Sequence, residues 1–239
     1  LIMKVHRSNF SVVGFTDEAQ IDELAALGRE FGIPVFVDMG SGTPFDLAVH
    51  GIPGEWTVPL CLQQGADVLC FSGDKVLGGP QAGIILGKAD LVERMARHPL
   101  HRAVRVDKFT IASLGATLRL LAQGRIGSIP VLRMITEPEM DVKKRCRKLL
   151  RLIGIKGARV VPTRAVIGGG SAPTKSFGSF GVLVRTPEAV EIHARLRSCR
   201  PSVLCRIEED TLVFDLKAVD MQEVSILARK IKEVTGSDA

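Results

Sequence analysis

Lys75 stands in the segment Phe71-Ser72-Gly73-Asp74-Lys75-Val76-Leu77-Gly78-Gly79-Pro80-Gln81-Ala82-Gly83, directly after an apolar run and beside a glycine-rich stretch. A lysine held on a rigid element can form a Schiff base with the aldehyde of pyridoxal 5′-phosphate and then move protons at an amino acid's α-carbon. Taken alone, Ser-x-x-Lys ahead of Gly-Gly reads more plainly as a surface lysine in a βα loop. Asp38 shifts that balance, because it ends the preceding apolar run and leads into the small turn Met39-Gly40-Ser41-Gly42. A carboxylate there can pair with a pyridine nitrogen and keep it protonated, so that the ring withdraws electrons from the substrate. Asp38 by itself would serve as a turn former before glycine. The aspartate and the lysine, each closing an apolar run, together favour the cofactor reading.

The elements that must position this pair follow from hydrophobic periodicity. Strands are expected at 1–5, 34–38, 67–71 and 82–87, with helices near 17–31 and 57–64 between them. Buried strands separated by helices predict an α/β fold with a mostly parallel sheet and helices on its faces. Asp38 and Lys75 then lie at the carboxyl ends of adjacent strands, where open α/β sheets bind ligands. Thr16, Asp17 and Glu18 predict the first helix's cap, and Gly32-Ile33-Pro34 its end. A long helix is expected at 107–122, and the stretch from Gly124 to Pro130 breaks the pattern. Residues 1–123 are therefore assigned to a first domain and 124–239 to a smaller α+β domain. The second should hold a basic helix near 138–152, a glycine-rich loop at 168–171, strands near 179–185, 202–208 and 211–216, and a last helix at 220–234.

With 46% hydrophobic and 24% charged residues over 239 positions, the chain can bury one sizeable core or two small ones. No apolar run approaches the roughly 20 residues that span a bilayer, and no secretory leader opens the chain, so a cytoplasmic location is expected. Leu1-Ile2-Met3-Lys4-Val5 reads as a strand from the first residue, which predicts a piece of a longer protein. The five cysteines show no Cys-x-x-Cys spacing and read as structural thiols. The net charge of +6 suits contact with phosphates or RNA without requiring it. Lys143, Lys144, Arg145, Arg147, Lys148 and Arg151 fall within nine positions of one predicted helix, either a solvated face or an RNA contact.

Several of these segments resemble the bacterial selenocysteine synthases, the L-seryl-tRNA(Sec) selenium transferases. They are Lys4-Val5-His6-Arg7-Ser8-Asn9-Phe10, the Asp38 turn, the Lys75 segment, and His98-Pro99-Leu100-His101-Arg102-Ala103-Val104-Arg105-Val106-Asp107-Lys108. The likeness is dense over residues 1–122 and returns at Gly168–Ser171 and at Arg206-Ile207-Glu208-Glu209-Asp210. It implies an aspartate-aminotransferase-like fold of which this chain is the C-terminal half, inactive by itself. It further implies Lys75 as the Schiff-base lysine, Asp38 as the pyridine partner, Ser72 as a donor to the cofactor phosphate, and Ser8 and Asn9 near the ring oxygen.

The implied reaction is replacement of the serine hydroxyl of seryl-tRNA(Sec) by selenium from selenophosphate, in a homo-oligomer whose subunits share active sites. A serine esterified to tRNA has no free carboxylate for an arginine to clamp, so Arg102 and Arg105 suit the anionic selenium donor. A solvated stretch is the plainer reading of both. Arg206 is a third anion candidate, or else an ion-pair partner of Glu208 or Asp210. His98-x-x-His101 has metal-like spacing without a clear third ligand. Two other functions stay open: a related lyase or aminotransferase using the same cofactor on a small amino acid or amino sugar, and a cofactor-free module for tRNA binding or oligomer formation.

Overall fold

The computed structural model describes residues 1–6, 14–168 and 176–236. They form two compact units, the first of residues 1–136 and 166–176, the second of 137–165 and 177–239.

In the first unit a four-stranded sheet runs in the order β1 (Ile2–Val5), β2 (Val35–Asp38), β3 (Val68–Ser72), β4 (Gly83–Gly87). The first three strands are parallel, with Val5 beside Asp38 and Asp38 beside Cys70. β4 returns antiparallel to β3. Only residues 73–82 separate those two strands, fewer than a parallel crossover needs. α1 (Ile21–Phe31) and α2 (Val58–Gln63) connect the parallel strands. Val35, Val37, Leu69 and Cys61, each at most 1% exposed, centre the core they share. The α1 cap differs from expectation: Gln20 and Glu23 satisfy each other's backbone in a capping box, three residues past Asp17.

Asp67 ties the sheet at the opposite end from the candidate site. Its carboxylate accepts from the Val35 N–H at 2.7 Å and pairs with Lys88 at 2.6 Å. Burial works against its charge, but the Lys88 ammonium and the Val35 N–H prevail and hold the carboxyl below the usual carboxylate range.

α3 (Ala89–Arg97), α4 (Pro99–Val104) and α5 (Lys108–Ala122) follow and bury none of their residues. α6 (Pro130–Thr136) buries Leu132 and Ile135. The boundary expected at 123/124 falls instead between Thr136 and Glu137. The cause is local, because Ile129 and Val131 close over the backbone of Gly78 and draw α6 into the first unit.

The second unit is a four-stranded sheet in the order β5 (Arg159–Val166), β6 (Ser176–Arg185), β8 (Thr211–Asp215), β7 (Arg206–Glu208), with β6–β8 and β7–β8 antiparallel. α7 (Glu139–Ile153), α8 (Ala189–Ser198) and α9 (Val224–Thr235) complete it, α9 packing on both of the others. Val142, Cys146, Leu149, Val182, Leu212 and Ile231 are fully buried in its core. Arg145, expected within a basic face, is instead buried and pairs with Glu137 through its two terminal guanidinium nitrogens. The strand expected at 202–208 shortens to β7 because the Val203 N–H donates to the Leu196 carbonyl at the end of α8.

Candidate active site

The first unit brings Asp38, Ser72 and Lys75 to one edge of the sheet. Asp38 is the last residue of β2, Ser72 the last of β3, and Lys75 lies three residues beyond. Parallel pairing puts both carboxyl ends on the same side, and the loops after them lock together. The Met39 N–H donates to the Cys70 carbonyl at 2.9 Å, and the Ser72 N–H to the Gly40 carbonyl at 3.0 Å. The Asp38 carboxylate accepts from the Gly40 N–H at 2.9 Å, which fixes its rotamer at the head of the turn. Gly42 completes that turn with φ 61°, and a Cβ there would overlap the Phe71 ring.

The Lys75 loop is held at its base by backbone bonds. Gly73 donates to the Ala82 carbonyl and Gly79 to the Gly73 carbonyl, both at 2.8 Å, and Gly78 donates to Lys75 at 3.0 Å. Gly78 adopts φ 74°, and a Cβ there would come within 2.6 Å of Ile129 and Val131. Lys75, Asp74, Gly78 and Gly79 line a cavity of ≈ 400 Å³ with Pro130, Val131 and Ile167. That volume is within the range of small-molecule sites. An amine, a hydroxyl and an oriented carboxylate at the carboxyl ends of adjacent parallel strands are groups that pyridoxal phosphate can use, so these residues fit it, although of the three only Lys75 lines the cavity.

Cys70 was not among the expected site residues. Strand register sets it opposite Asp38, and burial first, then the neighbouring carboxylate, push its thiol up to about 11. Counting residues back from the two strand ends could have found it. His6 directly follows β1, one strand further along, its N–H donating to the Asp38 carbonyl at 2.7 Å and its ring meeting Trp56 edge-on at 4.6 Å.

The remaining candidates lie elsewhere. Arg102 is in α4 and Arg105 caps its C-terminus, both exposed. Arg206 lies on β7 of the second unit, where its Nε is 3.4 Å from Glu208 and its guanidinium donates to the Arg164 carbonyl. Ser8 and Asn9 are outside the described residues, as is most of the loop at 168–171.

Comparison with known proteins extends these observations. Residues 1–220 match the family model described as SelA, L-seryl-tRNA selenium transferase. The chain is 43% identical over 240 residues to the L-seryl-tRNA(Sec) selenium transferase of Carboxydothermus hydrogenoformans, covering 98% of this chain and 52% of that protein. The Aquifex aeolicus enzyme of the same name is 38% identical over 98% of this chain and 53% of its own length. The chain thus spans about half the length of the curated relatives it matches. Among solved structures, D-glucosaminate-6-phosphate ammonia-lyase superposes with a TM-score of 0.60 at 15% identity, over 98% of this chain and 57% of that one. This likeness shows the fold alone, the α/β architecture of aspartate-aminotransferase-like enzymes. With a family match that takes in the whole Asp38–Lys75 edge, the chain belongs to the L-seryl-tRNA selenium transferase family.

Proposed function

We propose that the chain is the C-terminal, lysine-bearing part of an enzyme that uses pyridoxal 5′-phosphate to convert seryl-tRNA(Sec) to selenocysteinyl-tRNA(Sec), with selenophosphate as selenium donor. The observation that carries this reading is the placement of Lys75 and Asp38 at the carboxyl ends of adjacent parallel strands in a chain of this family. Bound pyridoxal phosphate supplies an electron sink for chemistry at the α-carbon.

Each residue then has a distinct task. The Lys75 amine would hold the cofactor by its aldehyde and would carry the proton taken from and returned to the α-carbon. The Asp38 carboxylate, fixed by Gly40, holds a proton on the pyridine nitrogen. The Ser72 hydroxyl donates to the cofactor phosphate, and Ser8 and Asn9 serve the ring oxygen. Over the reaction the serine loses its α-proton and β-hydroxyl as water, a bond forms from selenium to the β-carbon while a proton returns to the α-carbon, and the donor's selenium–phosphorus bond breaks, with water taking the phosphoryl group away as phosphate. Arg102 and Arg105 grip the selenium donor, because the tRNA ester leaves the substrate without a carboxylate to clamp. Arg206 is a further anion candidate on the second unit, where Glu208 stands beside it.

The reading includes a homo-oligomer of the cytoplasm with shared sites. Leu100, Val104, Phe109 and Ile111, which α4 and α5 leave more than half exposed, support the association. Among the described residues no helix is long and apolar enough to cross a membrane.

The test is borohydride reduction of the parent protein with its cofactor, followed by peptide mass spectrometry. A reduced adduct should map to Lys75 and vanish in Lys75→Ala, with loss of turnover on seryl-tRNA; free serine should react with neither protein. A reducible adduct on another lysine, or turnover of free serine alone, contradicts the proposal.

A further inference from the structure

The second unit carries most of the chain's charge. It holds 18 of the 32 Lys and Arg residues but 13 of the 26 acids, leaving it five of the six net positive charges. α7 concentrates them, with six basic and two acidic side chains in 15 residues.

Four of the six are engaged within the unit. Arg145 is buried against Glu137, the Lys143 ammonium lies 4.8 Å over the Phe180 ring, Lys144 pairs with Asp141 at 2.7 Å, and Lys148 donates to the Met221 carbonyl. Arg147 and Arg151 are exposed and have no carboxylate partner among the described residues. Four residues apart, they project from the same face of the helix, one turn from each other. Lys144 stands a further turn back on that face, so the three cations span about 10 Å along the axis.

The opposite face of α7 fixes what this one can meet. Val142, Cys146, Leu149 and Ile153 are at most 1% exposed, locked into the unit's core. A helix so anchored has no free apolar side to lay into a bilayer, which removes an interfacial membrane role. What remains is a rigid row of cations whose two arginines present planar forks suited to phosphate.

We propose that this face of α7, centred on Arg147 and Arg151, docks the phosphate backbone of RNA and takes the body of the tRNA that carries the amino acid. The identity of that RNA as the substrate rests on the function proposed above; the docking of RNA itself does not.

The test is fluorescence anisotropy of labelled, unacylated bacterial tRNA titrated with the full chain between 50 and 200 mM salt. Arg147→Ala/Arg151→Ala should weaken binding about tenfold or more at the lower salt and flatten the log–log salt dependence by between one and two units, since each lost phosphate contact removes roughly 0.7–0.9. Arg94→Ala/Arg119→Ala, which removes two exposed charges from α3 and α5, should change affinity by less than about twofold, because neither arginine belongs to the proposed phosphate contact. Arg147→Lys/Arg151→Lys should restore the salt slope while recovering only part of the affinity. Equal losses in both alanine pairs would mean a response to net charge, and an unchanged α7 variant would mean binding elsewhere; either overturns the assignment. Displacement of the tRNA by polyglutamate as effectively as by unlabelled tRNA overturns it in favour of an acidic protein partner. A parent protein that binds tRNA through α7 yet forms no reducible adduct at Lys75 would sink the proposed function and leave this inference standing.

Discussion

Asp38 and Cys70 sit side by side, and the carboxylate helps to hold the proton on the thiol. The carboxylate must stay charged to keep a proton on a pyridine nitrogen, and the buried thiol beside it keeps its own proton up to about 11. Asp38→Asn removes the charge but keeps the turn, because an amide oxygen can still accept from the Gly40 N–H. We expect that variant to retain cofactor while its turnover falls by about one to two orders of magnitude, the cost of one charge-assisted contact of ~1.5–3 kcal/mol. Activity within twofold of the parent would reduce Asp38 to a turn residue. The same substitution should move Cys70 as well. Alkylation of the cofactor-free protein, followed by peptide mass spectrometry, should show its reactivity rising near pH 11 in the parent and at lower pH in Asp38→Asn. A thiol that alkylates freely at pH 8 in the parent would show that Asp38 does not hold its proton.

At the scale of elements, Gly78 is the position where loop, helix and cavity meet. A side chain there faces both a left-handed backbone and the methyl groups of Ile129 and Val131 at 2.6 Å. Gly78→Val should therefore cost about 2–4 kcal/mol and loosen the grip on cofactor by displacing Lys75. Gly127→Ala, in open space at an ordinary φ, should leave the melting temperature within a degree or two. Equal melting temperatures for the two variants would show that α6 does not wedge the Lys75 loop. Strands β1 to β4 and the Asp38–Lys75 edge were legible in the sequence because their apolar runs are continuous and end in turn residues. β5 was not expected, since Pro162 and Arg164 interrupt its pattern; it survives as an edge strand, where proline is tolerated. The α1 cap was misplaced because Thr16 and Asp17 have better capping propensity than Gln20, whereas the Gln20–Glu23 reciprocity decided the start. Cys70 was missed because its partner is set by register between strands, which periodicity within one strand does not reveal.

For the whole molecule, the buried thiols make a prediction about alkali. Burial pushes Cys61 in the first unit's core up to about 11 and Cys146 in the second's up to about 12, from 9.0 when solvated. Above pH 9 the unfolded chain has lost these protons and the native chain keeps them. The native state then binds more protons, so stability falls as pH rises, at most by slightly more than ~1 kcal/mol per pH unit for each thiol. Lys217 acts in the opposite sense. Burial lowers its pKa from 10.5 against the pull of nearby acids, so the native lysine loses its proton first and the second unit regains some stability just below that value. The effect of a buried thiol is read most directly in the first unit, which holds Cys61. Trp56, the single tryptophan, lies in that unit and reports on it selectively. Urea titrations followed by its fluorescence should give midpoints that are flat from pH 7 to 8 and fall from pH 9 to 11. In Cys61→Ala the midpoint should start lower, through about 1–2 kcal/mol of lost packing, yet decline less steeply with pH. Parallel declines in parent and variant would show that Cys61 does not carry the effect, and a flat midpoint to pH 11 would show that burial leaves its thiol free to ionise.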